Sequence, residues 1–255
     1  MTPDACAALV EKSDPDRFAA TMAAPPGARV RLWPLYAYNL EIARAAWVSP
    51  EPMVSQMRLQ WWVDTVLAMP GAAPKAHEVA EPLHALVAKT GLPVALLAGM
   101  AEARDWDAGS GVFADRAAFD AYLDATAGNL MWAAALALGA PPGAEAAVRD
   151  LAYGSGLANW FCAVAELRSR NRQPLPDESP GAVAMLARDG LARIARADRS
   201  AILRSAAPAL FPGWQAEGLL TQAAREPERV LAGRLGLSEF ARRWGLARMA
   251  LTGRF

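Results

Sequence analysis

Two prolines place the strongest constraint on how this chain can fold. Pro50 and Pro52 lie in Val48-Ser49-Pro50-Glu51-Pro52, inside a stretch from Arg29 to Asp64 that is otherwise helix-patterned. Proline lacks an amide donor and its ring clashes with the preceding turn, so the stretch must form two helices joined by a short break. Leu32, Leu35, Tyr36, Tyr38, Asn39, Ile42, Ala43 and Ala46 recur at three- and four-residue spacings and make one stripe of the first helix. Leu59, Trp62, Val63 and Val66 do the same on the second. Helices joined this way pack side by side, and any pocket between them is lined by such stripes. Trp61 and Trp62 point about 100° apart, which predicts one in the core and one at the periphery.

Similar punctuation runs along the rest of the chain. Ser13-Asp14-Pro15-Asp16 reads as a helix start, with a side chain to cap free amides, proline at the first helical position and an acid at the positive dipole end. That helix carries Phe18 and Met22 and stops near Pro25-Pro26-Gly27. After the break at Pro70 to Pro74, helices are predicted at about 76–89, 93–106, 117–138 and 145–168. Shorter ones follow near 181–189, 191–206, 216–224 and 237–251, roughly placed by the same signals. No segment has a strand period and no repeat of fixed length appears. The expectation is an all-α chain forming one domain over residues 1–255.

Composition narrows the function classes. A hydrophobic fraction of 54% over 255 residues suits a large helical core. Lys plus Arg number 26 and so do Asp plus Glu, which lacks the basic excess of a general nucleic-acid binder. Cys6 and Cys162 are too few for a disulfide framework or a cysteine zinc site. His77 and His84 fall in a polar helical segment and read as surface or edge residues, so no metal site is expected from them. Asp4, Glu11, Lys12, Asp14 and Asp16 interrupt any apolar run that could serve as a signal peptide. The longest apolar run, Leu130 to Ala140, is shorter than the ~20 residues needed to span a bilayer. A cytoplasmic protein is expected, touching at most the inner face of a membrane.

Carboxylates four residues apart on a helix share a face and can bridge Mg²⁺ ions that neutralise a leaving diphosphate. The clear D-x-x-x-D is Asp120 to Asp124, near a helix start, where solvation and the dipole already favour acids. Glu102, Asp105 and Asp107 surround Arg104 and read as a surface ion-pair network.

Several of these segments together resemble one family. Leu35-Tyr36-Ala37-Tyr38-Asn39, Arg58-Leu59-Gln60-Trp61-Trp62-Val63-Asp64, the stretch from Tyr122 through Gly128 to Met131, and Gly156 to Pro176 resemble squalene/phytoene synthases in order and spacing over about Asp14 to Pro176. The resemblance implies the isoprenoid synthase fold, in which helices surround a central cavity. Active members join two prenyl diphosphates head to head with two aspartate-rich helices and Mg²⁺. Here the three aspartate positions of the first motif hold Ala43, Arg44 and Trp47. In the second, N-x-x-R-D-x-x-E-D, Asn159 takes the place of the Asn, Cys162 that of the Arg, and Ala163, Glu166 and Leu167 those of the acids. One carboxylate cannot supply the hard oxygen ligands of a Mg²⁺ cluster, and Arg44 adds positive charge where cations should sit.

The remaining polar candidates for the cavity face are Tyr36, Asn39, Arg44, Arg58, Asn159 and Glu166. They could receive an anionic head group, and Arg44 with Glu166 could form a buried or half-buried ion pair. The resemblance extends to non-catalytic members such as the mitochondrial complex I assembly factor, which implies binding to a membrane-complex subunit rather than condensation. Two alternatives stand beside it: a Mg²⁺-dependent prenyltransferase with an atypical metal site, and a carrier of an isoprenoid or other lipid. In an assembly factor the cavity would be filled by its own side chains, with Trp47 as a candidate plug. Residues 238–255 combine Arg242, Arg243, Arg248 and Arg254 with Phe240, Trp244, Leu246, Met249 and Leu251. That pattern suits either a helix docked on the core or peripheral contact with an anionic membrane.

Overall fold

The computed structural model describes residues 3–49, 51–109 and 111–252. The proline break does what its chemistry requires: α3 (Pro26–Ala45) and α4 (Pro52–Ala68) flank it, each opening on a proline. Two short helices precede them. In α1 (Pro3–Ser13), Cys6 and Val10, four residues apart, are fully buried; this helix has no counterpart in the sequence-based prediction. In α2 (Pro15–Met22), Asp14 is the cap, its carboxylate accepting from the Arg17 amide at 3.0 Å. Pro34 lies inside α3 and removes one helical hydrogen bond, to the carbonyl of Val30, an exposed residue.

Beyond the pair come α5 (Ala80–Thr90), ended by left-handed Gly91, then α6 (Val94–Ala103) and the one-turn α7 (Asp105–Ala108). The single long helix predicted over 117–138 is three pieces. α8 (Arg116–Leu123) leads into a π turn at Asp124–Gly128, and α9 (Asn129–Ala137) follows. The wider turn lets Asp124 and Asn129 both reach Arg149, whose guanidinium donates to them at 2.8 and 3.3 Å. α10 (Glu145–Ser169) is one unbroken helix, as predicted. The two helices predicted over 181–206 are one, α11 (Pro180–Arg196), followed by 3₁₀ turns at 199–201 and 207–213. Gly190 lies within α11 where Leu220 and Leu157 pack so closely that a Cβ there would lie 2.9 and 3.0 Å from their methyl groups. α12 (Ala216–Arg225), α13 (Glu228–Leu231) and α14 (Glu239–Thr252) complete the chain. Among the described residues the only β-bridge joins Val112 to Gln173.

α3 packs against α1, α4, α5 and α9, while α10 packs against α9, α11, α12 and the π turn. One apolar cluster runs through both groups, from Cys6 and Val10 to Leu220 and Val230. Trp62 is buried and Trp61 is 38% exposed, the division their spacing predicts. Trp106, Phe113, Phe119, Tyr122 and Trp160 form an aromatic nest with neighbouring ring centroids 4.4 to 6.0 Å apart. His77 precedes α5 rather than lying within it; its Nδ1 accepts from the Val79 amide at 3.1 Å and its ring packs on both tryptophans. His84 Nε2 lies 2.8 Å from the Met69 carbonyl oxygen.

The expected acidic surface patch divides. Asp105 pairs with Gln56 at the surface, but Asp107 is 2% exposed, held by Arg104 Nη1 at 3.1 Å and by the Tyr122 hydroxyl at 3.1 Å. The aromatic nest shields the pair, which makes Asp107 a core residue. Asp107→Ala would leave Arg104 with an uncompensated charge in a largely dry setting. Its expected cost is about 3 kcal/mol, checked by urea unfolding.

All four tyrosines, Tyr36, Tyr38, Tyr122 and Tyr153, are held well above the ordinary hydroxyl value of 10, with burial as the main cause. A value raised in the folded state means that unfolding releases protons above the unfolded value. Stability is therefore fully present below about pH 10 and falls as pH rises beyond it. Ultraviolet titration should show no tyrosinate step near pH 10, with ionisation arriving together with loss of helical circular dichroism. A separate step in the folded protein would contradict the burial.

Candidate functional site

The first-motif positions lie where α3 gives way to the proline break. Ala43 is half-buried, Arg44 is exposed, and Trp47 sits in the turn after the helix, 36% exposed. The second-motif positions lie on the last turns of α10, where Ala163 is half-buried, Glu166 exposed and Leu167 buried. Past the end of α10, left-handed Asn171 (φ 60°) turns the chain so that both neighbouring arginines serve one ring. The guanidinium of Arg170 lies 4.9 Å from the Trp47 ring centroid, and that of Arg172 lies 5.5 Å away. Arg170 also pairs with Glu166 at 2.7 Å. Arg172 is fixed from behind, donating to the Asp107 carbonyl at 3.0 Å and to the Gly109 carbonyl.

The two degenerate motifs therefore meet through Arg170, which joins Trp47 of one to Glu166 of the other. Their chemistry is the reverse of a metal clamp: two guanidiniums and an indole, with one carboxylate already paired. Among the described residues, no three histidine, cysteine, aspartate or glutamate side chains converge where they could hold an ion. Asp120 and Asp124 do not cooperate either. Asp120 accepts from Arg116 at 2.8 Å and from Tyr153 at 2.7 Å, whereas Asp124 pairs with Arg149 at 2.8 Å. These residues do not fit Mg²⁺.

The expected pairing of Arg44 with Glu166 is not formed. Arg44 is exposed and donates to the Ser13 hydroxyl, because α1 packs beside α3 and offers the nearer partner. Arg58 is exposed on α4 and Asn39 is half-buried on α3. Tyr36 and Asn159 do come together. They line a small cavity between α3, α9, α10 and the 207–213 turn, with Arg17, Ser155, Met131 and Pro212 among its other walls. The Arg17 guanidinium lies 4.9 Å from the Tyr36 ring centroid. The Tyr36 hydroxyl is buried without a hydrogen-bond partner among the described residues, and burial pushes its ionisation far up. Trp47 is no plug: it lies at the surface under its arginines and does not line this cavity.

The cavity measures about 30 Å³. That is room for about one water molecule, roughly a tenth of the ~300 Å³ at which ligand sites begin. The π turn does much of the filling. It presses on α10 so closely that a Cβ on Gly156 would lie 2.5 Å from the Ala127 methyl.

Sequence reasoning missed Arg170, although its four-residue spacing from Glu166 on one helix face was a usable signal. It also missed Arg17 and Ser155, for which no local signal exists, since only packing brings α2 to α10.

Comparison with known proteins agrees with this architecture. The sequence profile of the family described as squalene/phytoene synthase matches residues 10–238. Among solved structures, a dehydrosqualene synthase in complex with ligand superposes with TM-score 0.74 at 14% identity, covering 95% of this chain and 93% of its own. The squalene synthase HpnC from Alicyclobacillus acidocaldarius superposes with TM-score 0.62 at 13% identity, covering 98% of this chain and 94% of its own. At such identities the likeness shows the fold, which is the all-α isoprenoid synthase fold. Comparison with curated protein sequences yields no match. The profile spans most of the chain, and the chain belongs to the squalene/phytoene synthase family.

Proposed function

We propose that this family member binds rather than condenses, acting as a non-catalytic interaction protein of the assembly-factor kind whose partner is a subunit of a membrane complex. The observation that carries the proposal is the Trp47–Arg170–Glu166 cluster at the two motif positions. A prenyl diphosphate reacts when divalent cations neutralise its departing charge. Here Trp47 lies under the guanidiniums of Arg170 and Arg172, which flank the second motif, and the one carboxylate, Glu166, is bound to Arg170.

The size of the cavity between α3, α9 and α10 speaks against a carrier that holds its lipid there. A C₁₅ or longer chain cannot enter about 30 Å³ without separating α9 from α10. The solved neighbours named for dehydrosqualene and squalene synthesis lend this chain their fold alone.

The direct test is incubation of the folded protein with farnesyl diphosphate and Mg²⁺. The expected result is no diphosphate release above the protein-free background. Release that disappears in Glu166→Ala would overturn the proposal. Trp47→Ala should lower stability by about 1 kcal/mol, through loss of the stacked arginines, and should not create release. Tyr36→Phe removes a buried hydroxyl without a protein partner, so the unfolding free energy should stay level or rise by about 1 kcal/mol. A clear loss instead would show that the hydroxyl is bonded to something the protein holds.

A further inference from the structure

The outward stripe of α14 carries large apolar side chains that none of the described residues covers. Phe240 is 77% exposed, Trp244 63% and Leu251 87%. At about 100° per residue these three fall within one narrow arc, with Arg243 on one flank and Arg248 on the other. The opposite face is the docked one. Met249 is fully buried with Ala20, Ala24 and Phe211, the Trp214 ring lies against Gly245, and Arg242 pairs with Asp16. Docking is complete without the outer stripe, so the helix has one face for the core and a second face that is apolar and edged with cations.

We propose that α14 lies in the plane of an anionic bilayer surface, with Phe240, Trp244 and Leu251 at the acyl boundary and Arg243 and Arg248 at headgroup level. This goes beyond the non-catalytic proposal and does not rest on it. The occupant follows from shape and charge. Three side chains on one convex helix do not make the ~800 Å² patch that a stable protein contact buries on each partner, whereas lipid moulds itself around such a helix. With Arg242 engaged by Asp16 on the docked face, the outer side of α14 carries Arg243 and Arg248 against Glu239, which pairs with Arg243 at 2.8 Å; the remaining positive charge suits anionic headgroups. It also walls a groove of about 400 Å³ lined by Arg199 and Arg248 over Ile194, Trp214 and Leu237, with Glu217 at its edge. Among the described residues no helix is long and apolar enough to cross a membrane, so the contact is in-plane.

Co-sedimentation of the full chain with vesicles tests this. Binding is expected to mixed phosphatidylglycerol–phosphatidylcholine vesicles, weaker to phosphatidylcholine alone, and reduced by salt. The triple variant Phe240→Ser, Trp244→Ser, Leu251→Ser should lower partitioning about tenfold or more, with circular dichroism and melting unchanged because all three side chains are exposed. Arg243→Ala with Arg248→Ala should abolish the preference for anionic lipid. A wild type that stays in the supernatant, or a triple variant that binds equally well, overturns the proposal. A concentration-dependent dimer that the triple variant abolishes, without vesicle binding, overturns it in favour of a protein contact.

Discussion

The structure depends on how closely other elements can approach α10. At Gly154 a Cβ would lie 2.5 Å from Ile194 Cδ1 on α11, and at Gly156 the same distance from the Ala127 methyl in the π turn. A side chain at either position would have to push its neighbour away. The bare backbone allows α11 and the π turn to seat on the same two turns of α10. A long helix with small residues at its most crowded turns thus forms the axis around which α9, α11 and α12 pack.

That close packing also shapes the site. Bringing the π turn onto α10 places Ala127, Leu130 and Met131 across from Tyr36, and the space between them shrinks to about 30 Å³. At the other end of α10, the chain turns at left-handed Asn171 and delivers Arg170 and Arg172 to Trp47. The small cavity and the Trp47 cluster both border α10. Inside, there is little space for a prenyl chain. Beside Trp47 lie the guanidiniums of Arg170 and Arg172, the first of them paired with Glu166.

The buried carboxylate of Asp107 is matched, whereas the Tyr36 hydroxyl, Arg104 Nε and Trp106 Nε1 are buried without a hydrogen-bond partner among the described residues. The Asp107 carboxylate accepts from Arg104 and Tyr122 beside the aromatic nest, and the carbonyls of Asp107 and Gly109 hold Arg172 in place. The nest and the Trp47 cluster are thus linked through the backbone of residues 107–109. The buried carboxylate is a support for the site and no part of its chemistry.

Fold class and helix order were written in the sequence, because apolar spacing and proline position act within one or two turns. Pro50 and Pro52 divide α3 from α4, Asp14 caps α2, and the different fates of Trp61 and Trp62 follow from the pitch of a helix. The missing aspartates were equally legible, since a motif position holding Ala43 or Trp47 cannot supply a ligand under any packing. What the sequence could not fix were partners chosen by distance in space. Arg44 goes to Ser13 rather than Glu166, Asp107 goes inside rather than outside, and the predicted long helix opens into a π turn to share Arg149. Each of those outcomes depends on which elements become neighbours, and only the tertiary packing around α3 and α10 decides it.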